Sequence, residues 1–121
     1  MTKWLWTLSV ATLASTFALL AGAHAHLDRA LPVAGSVVRE SPRELKLWFT
    51  QRPEPAFSEL RVVDRNGRRV DNGDPKVDAN DARVLRVSLP ELPPGNYLVK
   101  WRVLSVDTHV SEGEFTFDVA P

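Results

Sequence analysis

Two histidines and an aspartate carry most of the chemistry this 121-residue sequence offers. Asp107 and His109 lie two apart in Ser105-Val106-Asp107-Thr108-His109. In extended backbone, positions i and i+2 face one side, so this spacing predicts a carboxylate and an imidazole converging on one ion. Taken alone, Asp-x-His is a pattern that surface loops produce often. His26 gives it weight, because residues 1–25 read as a removable leader that leaves His26 as the first residue. A terminal histidine offers an amine and an imidazole that close a chelate on one metal. Unperturbed, these titrate near about 7.7–8.0 and about 6.5, so both nitrogens deprotonate at modest cost around neutrality. His26, Asp107 and His109 then supply three nitrogens and an oxygen. That set suits tetragonal Cu(II), which heads the affinity order for divalent ions, although zinc accepts similar ligands. The reading is one Cu(II) ion per mature chain.

The leader reading rests on residues 1–25. Lys3 is their only charged residue, and Ala23-His24-Ala25 is a small-x-small pattern of the kind signal peptidase cuts after. About 20 apolar residues also suffice for a membrane anchor. This stretch, however, is rich in Thr, Ser and Ala, and no basic stop-transfer cluster follows it. Removing it leaves residues 26–121 as one exported, soluble domain. Without Lys3, the fifteen basic residues become fourteen against fifteen acidic ones. A second small-x-small site, Ala21-Gly22-Ala23, would instead leave His24-Ala25-His26 at the terminus, a different amine-and-histidine chelator for Cu(II).

Composition narrows the choice further. The chain has no cysteine, and its one methionine is Met1. Disulfide scaffolds, thiolate zinc sites, iron–sulfur clusters and a lipid-anchored cysteine are excluded, and so is a thioether-rich Cu(I) site in the mature chain. Balanced charge argues against a nucleic-acid binder. No Ser-His-Asp pattern supports hydrolysis, and solvation explains the carboxylates of Glu112 and Glu114.

The elements that must position these residues read as strands. Leu45, Leu47 and Phe49 alternate with Lys46, Trp48 and Thr50. Leu60 to Val63 forms a second run. Asp64-Arg65-Asn66-Gly67 then predicts a tight hairpin with a strand returning from Val70. Residues 71–82 read as an exposed loop, and Leu85, Val87 and Leu89 as one face of another strand. Pro94-Gly95 suits the centre of a type II turn. Tyr97, Val99, Trp101 and Val103 alternate inward, Phe115, Phe117 and Val119 supply the last strand, and Tyr97 is placed as a tyrosine corner. Core or near-core packing accounts for Trp48, Trp101, Phe115 and Phe117. Arg65, Arg68 and Arg69 read as a solvated hairpin tip. Short strands, frequent prolines and no capped helical period predict an all-β, antiparallel Greek-key sandwich or barrel.

From His26 to Val119 the chain resembles the CopC family of small periplasmic copper-binding, copper-resistance proteins. The resemblance is carried by His26-Leu27-Asp28, by Leu31-Pro32-Val33-Ala34-Gly35-Ser36, by Glu54-Pro55-Ala56-Phe57-Ser58 and by Asp64 to Gly67. Its most specific stretch runs from Leu92-Pro93-Pro94-Gly95-Asn96-Tyr97 through Trp101-Arg102-Val103 to Ser105-Val106-Asp107-Thr108-His109 and Gly113 to Phe117. Family members typically carry Asp-Gly-His-Pro where this chain has Asp107-Thr108-His109-Val110. The resemblance implies an immunoglobulin-like or cupredoxin-like β-sandwich and a periplasmic location. It implies Cu(II) ligands from the amine and side chain of His26, from Asp107 and from His109. It also implies hand-off to a CopD-type inner-membrane copper importer. The methionine-rich Cu(I) loop of some members is missing. Two other readings stay open: a small copper-dependent oxidative enzyme using its N-terminal histidine, as polysaccharide monooxygenases do, and a metal-free immunoglobulin-like interaction module.

Overall fold

Alternation of apolar and polar residues makes Glu44–Phe49 a strand with one wet and one dry face: Leu45, Leu47 and Phe49 are buried, and the residues between them are half-buried. The same two-residue period builds the rest of the structure, a computed structural model that describes residues 25–121. The expected signal peptide, 1–25, lies outside the described residues except for Ala25.

Eight strands run in order: β1 (Leu27–Leu31), β2 (Val37–Val38), β3 (Glu44–Phe49), β4 (Glu59–Val63), β5 (Lys76–Val77), β6 (Val84–Ser88), β7 (Gly95–Leu104) and β8 (Val110–Val119). They form two four-stranded sheets, ordered β1-β3-β6-β5 and β2-β8-β7-β4. The architecture is therefore the expected sandwich, with consecutive strands β3 and β4 in opposite sheets. Between the sheets lie Leu45, Leu47, Phe49, Leu60, Val62, Leu85, Val87, Tyr97, Val99, Val103, Phe117 and Val119. Inside this layer Phe49 meets Trp101 edge-on at 5.2 Å, and Tyr97 stacks on Phe117 at 5.6 Å. The Tyr97 hydroxyl donates to the Pro93 carbonyl at 2.5 Å, closing the tyrosine corner.

Several local expectations are corrected. The pairing is not wholly antiparallel, because β2 runs parallel to β8. The return from the Gly67 turn is a single bridge, Val63 to Arg69, rather than a strand from Val70. There the Asp71 carboxylate takes up the Val62 N–H, so a side chain replaces the ladder partner. The 71–82 loop contains β5, which edges β6. Gly95 is not the positive-φ residue of a type II turn; it opens β7 opposite Val119, and that pairing keeps it extended. Trp48 also departs from near-core packing. It faces outward, with the Arg29 guanidinium 4.5 Å over its ring. At the basic hairpin tip Arg65 and Arg68 are solvated, whereas Arg69 pairs with Asp71 at 2.9 Å.

Candidate metal centre

Strands β7 and β8 are joined by residues 105–109, and the last ladder pair, Leu104 with Val110, closes the hairpin. Asp107 and His109 are brought together, but not by extended backbone as the spacing implied. The chain turns there. Ser105 N–H donates to the His109 carbonyl at 2.9 Å, and Thr108 N–H donates to the Ser105 carbonyl at 2.9 Å. Thr108, between the two side chains, takes φ +72°, the left-handed conformation. The turn leaves His109 Nδ1 3.5 Å from Asp107 Oδ1, with the side chains 44% and 41% exposed, so a solvated ion can reach both.

Beneath the pair sits Ser105, fully buried. Its hydroxyl donates to Asp107 Oδ1 and lies 3.1 Å from the His109 carbonyl. Ser105 first, and then His109, holds the Asp107 carboxyl below the usual carboxylate range, against the opposing effect of desolvation. The order of groups matters. Asp107 stands between serine and histidine, whereas activating a serine as nucleophile requires the histidine beside it.

His26 is exposed and immediately precedes β1. Its N–H donates to Thr50 Oγ1 at 2.9 Å, and its carbonyl accepts from Thr50 N–H at 2.9 Å. From Thr50 the chain crosses to the second sheet past the hairpin loop. Val106 N–H donates to the Arg52 carbonyl at 3.1 Å, Pro53 bridges Ser105, and Glu54 N–H donates to the Leu104 carbonyl at 2.7 Å. The Ser111 hydroxyl, two residues after His109, donates to the Ala25 carbonyl at 2.5 Å. His26 and the 105–109 loop therefore share one end of the sandwich. Among the described residues, however, no three His, Asp or Glu side chains are grouped closely enough to hold a metal. Asp107 and His109 form a pair; His26 is delivered to the same end without joining it.

Sequence reasoning missed Ser105 and Thr50. For Ser105 a signal exists: Tyr97, Val99, Trp101 and Val103 alternate inward, and Ser105 is the next inward position, where a hydroxyl replaces an expected apolar side chain. Thr50, just past the end of β3, offers no comparable sign.

Fold and site together define a small β-sandwich that presents a nitrogen–oxygen donor pair on an end hairpin, beside a histidine at the head of its first strand. Residues 27–120 match the CopC domain family, and the chain belongs to that family. It is 41% identical to CopC from Methylosinus trichosporium OB3b, whose crystal structure superposes with a TM-score of 0.76 over 81% of this chain and 95% of that one. The crystal structure of PcoC, a methionine-rich copper resistance protein from Escherichia coli, is 29% identical, with a TM-score of 0.68 over 79% of this chain and 98% of that one. Protein YobA of Escherichia coli strain K12 is 35% identical over 98 residues, 80% of this chain and 79% of that protein.

Proposed function

We propose that the chain is an exported Cu(II)-binding protein that buffers, sequesters or delivers copper in the periplasm. A role in copper homeostasis follows from its family. The oxidation state follows from its donors. Imidazole, amine and carboxylate suit Cu(II), and a mature chain without cysteine or methionine offers nothing soft to hold Cu(I). This donor set separates it from the methionine-rich PcoC.

The observation that carries the reading is the common end of the sandwich, where Thr50 seats His26 and the hairpin loop holds Asp107 against His109. The 3.5 Å between His109 Nδ1 and Asp107 Oδ1 would let one ion take a donor from each side chain. Cleavage after Ala25 would turn the His26 amide nitrogen into an amine and complete the donor set with His26, Asp107 and His109 around one ion. We read the protein as a carrier rather than an enzyme, because Asp107 and His109 lie on an exposed hairpin and the buried Ser105 hydroxyl bonds Asp107 rather than an imidazole that could activate it. Among the described residues no helix is long and apolar enough to cross a membrane. Delivery would then require a membrane partner, a CopD-type importer by family analogy.

The mature chain beginning at His26 should bind one equivalent of Cu(II) tightly. A version carrying one extra N-terminal residue should bind far more weakly, with a changed EPR spectrum. Equal affinities and identical spectra would overturn the reading. Intact mass of the exported protein distinguishes cleavage after Ala25 from cleavage after Ala23.

A further inference from the structure

Ser105 is fully buried, at 0% exposure, and it occupies an inward position of β7's extension where Val99 and Val103 precede it. Burying a hydroxyl there costs free energy unless acceptors meet it. Both acceptors lie in the loop itself, on Asp107 and His109, the two candidate ligands. Backbone ties to Arg52 and Pro53 fix where the loop runs, but they do not set how the Asp107 carboxylate is turned. Two groups meet Asp107 Oδ1: the Ser105 hydroxyl from below and His109 Nδ1 from the side.

We propose that Ser105 is the positioning residue of the metal loop: its buried hydroxyl fixes the Asp107 carboxylate, and through it the His109 ring, before any ion arrives. The proposal rests on the Cu(II) reading above, and it adds a residue that touches neither the ion nor solvent. Outer partners of this kind typically change metal affinity by about 10–100-fold when removed. Ser105→Ala deletes the hydroxyl while keeping a small apolar side chain in a dry site, so the sandwich should persist.

The test is a double-mutant cycle on the mature protein, reading Cu(II) affinity by competition and the site by EPR. Ser105→Ala should weaken Cu(II) binding about tenfold or more and shift the EPR parameters. On an Asp107→Ala background the same change should have little further effect, because Ser105 acts through Asp107. A purely structural serine would weaken binding equally in both backgrounds, and that result would overturn the proposal. Wild-type affinity and spectrum in Ser105→Ala would overturn it too. NMR of the metal-free protein gives an arm independent of copper. Ser105→Ala should leave the β7–β8 amide signals in place while the Asp107 and His109 side chains become conformationally averaged; unchanged side-chain order there would sink the proposal. Failure of the wild-type chain to bind Cu(II) would count against the functional reading alone.

Discussion

Thr108 holds the least comfortable backbone of the site. A β-branched residue at φ +72° crowds its Cβ against the backbone, whereas glycine takes that conformation freely. Such strain costs on the order of 1–3 kcal/mol, partly offset when glycine is introduced by the extra freedom it gives the unfolded chain. Thr108→Gly should therefore stabilise the metal-free domain by about 1 kcal/mol, read as a higher guanidinium midpoint with an unchanged slope. Glycine would be the relaxed residue at this position, and Asp-x-His alone does not reveal the turn. The spacing is compatible with both a strand and a left-handed bend, and only the middle residue's backbone distinguishes them. A second residue-scale effect concerns Asp74. It accepts hydrogen bonds from the Ser88 hydroxyl and N–H, which hold its carboxyl below the ordinary value of 3.8. A carboxyl lowered on folding adds stability at pH above 3.8, and this is lost as pH falls through its lower folded value. Urea unfolding of Asp74→Asn across pH should show a flatter acid limb than wild type.

At the scale of elements, the β7–β8 hairpin does most of the positioning, and its pairing depends on two close fits. Gly113 faces Trp101 across the ladder, and a Cβ on Gly113 would lie 2.6 Å from Trp101 Cζ2. The indole has little room to move because Phe49 meets it edge-on. Gly113→Ala should cost about 1–3 kcal/mol by overpacking, measured by calorimetry as a lower Tm. At the other end of the hairpin, the Tyr97 hydroxyl ties the strand to Pro93. Tyr97→Phe should lose about 1 kcal/mol at neutral pH. Burial raises the Tyr97 pKa above its ordinary 10.0, so its share of stability is complete below that pH and is lost as pH rises through the folded value. The Phe variant should lack that alkaline loss. The long strands are legible in the sequence because one face of each is buried, as Leu45, Leu47 and Phe49 are in β3. Short edge elements such as β2 and β5 are not, since two residues carry no period and their pairing is set by neighbours distant in the chain. The Pro94-Gly95 turn failed for a related reason: a ladder partner, Val119, decided Gly95's backbone over local preference.

Across the whole molecule, the site lies where the two sheets are joined. The first sheet holds His26 through Thr50, the second holds the Asp107–His109 loop, and the crossing from Thr50 to Glu54 is bonded to both. Donor types could be read from the sequence without a structure, because ligand chemistry belongs to residue types. Their assembly could not, because Thr50 and Arg52 acquire their roles only when β3 ends beside the hairpin. This division has a thermodynamic consequence. Under the proposed reading, the amine and imidazole of His26 would stay adjacent in the unfolded mature chain and still chelate Cu(II), whereas His109 would reach the same ion only when both sheets are in place. A ligand bound only by the folded state at 100 times its Kd stabilises by about 2.7 kcal/mol, and binding to the unfolded chain reduces this. Excess Cu(II) should therefore raise the Tm of the mature protein by less than its total affinity implies. His109→Ala should retain measurable Cu(II) binding at the terminus while losing nearly all of the Tm increase, since its remaining nitrogens bind folded and unfolded chains alike. Calorimetry with and without Cu(II) on the two proteins checks this. A full Tm increase in His109→Ala would mean that the folded chain holds the ion without His109, and no Tm increase in the unsubstituted chain would mean that the ion is held at the terminus alone.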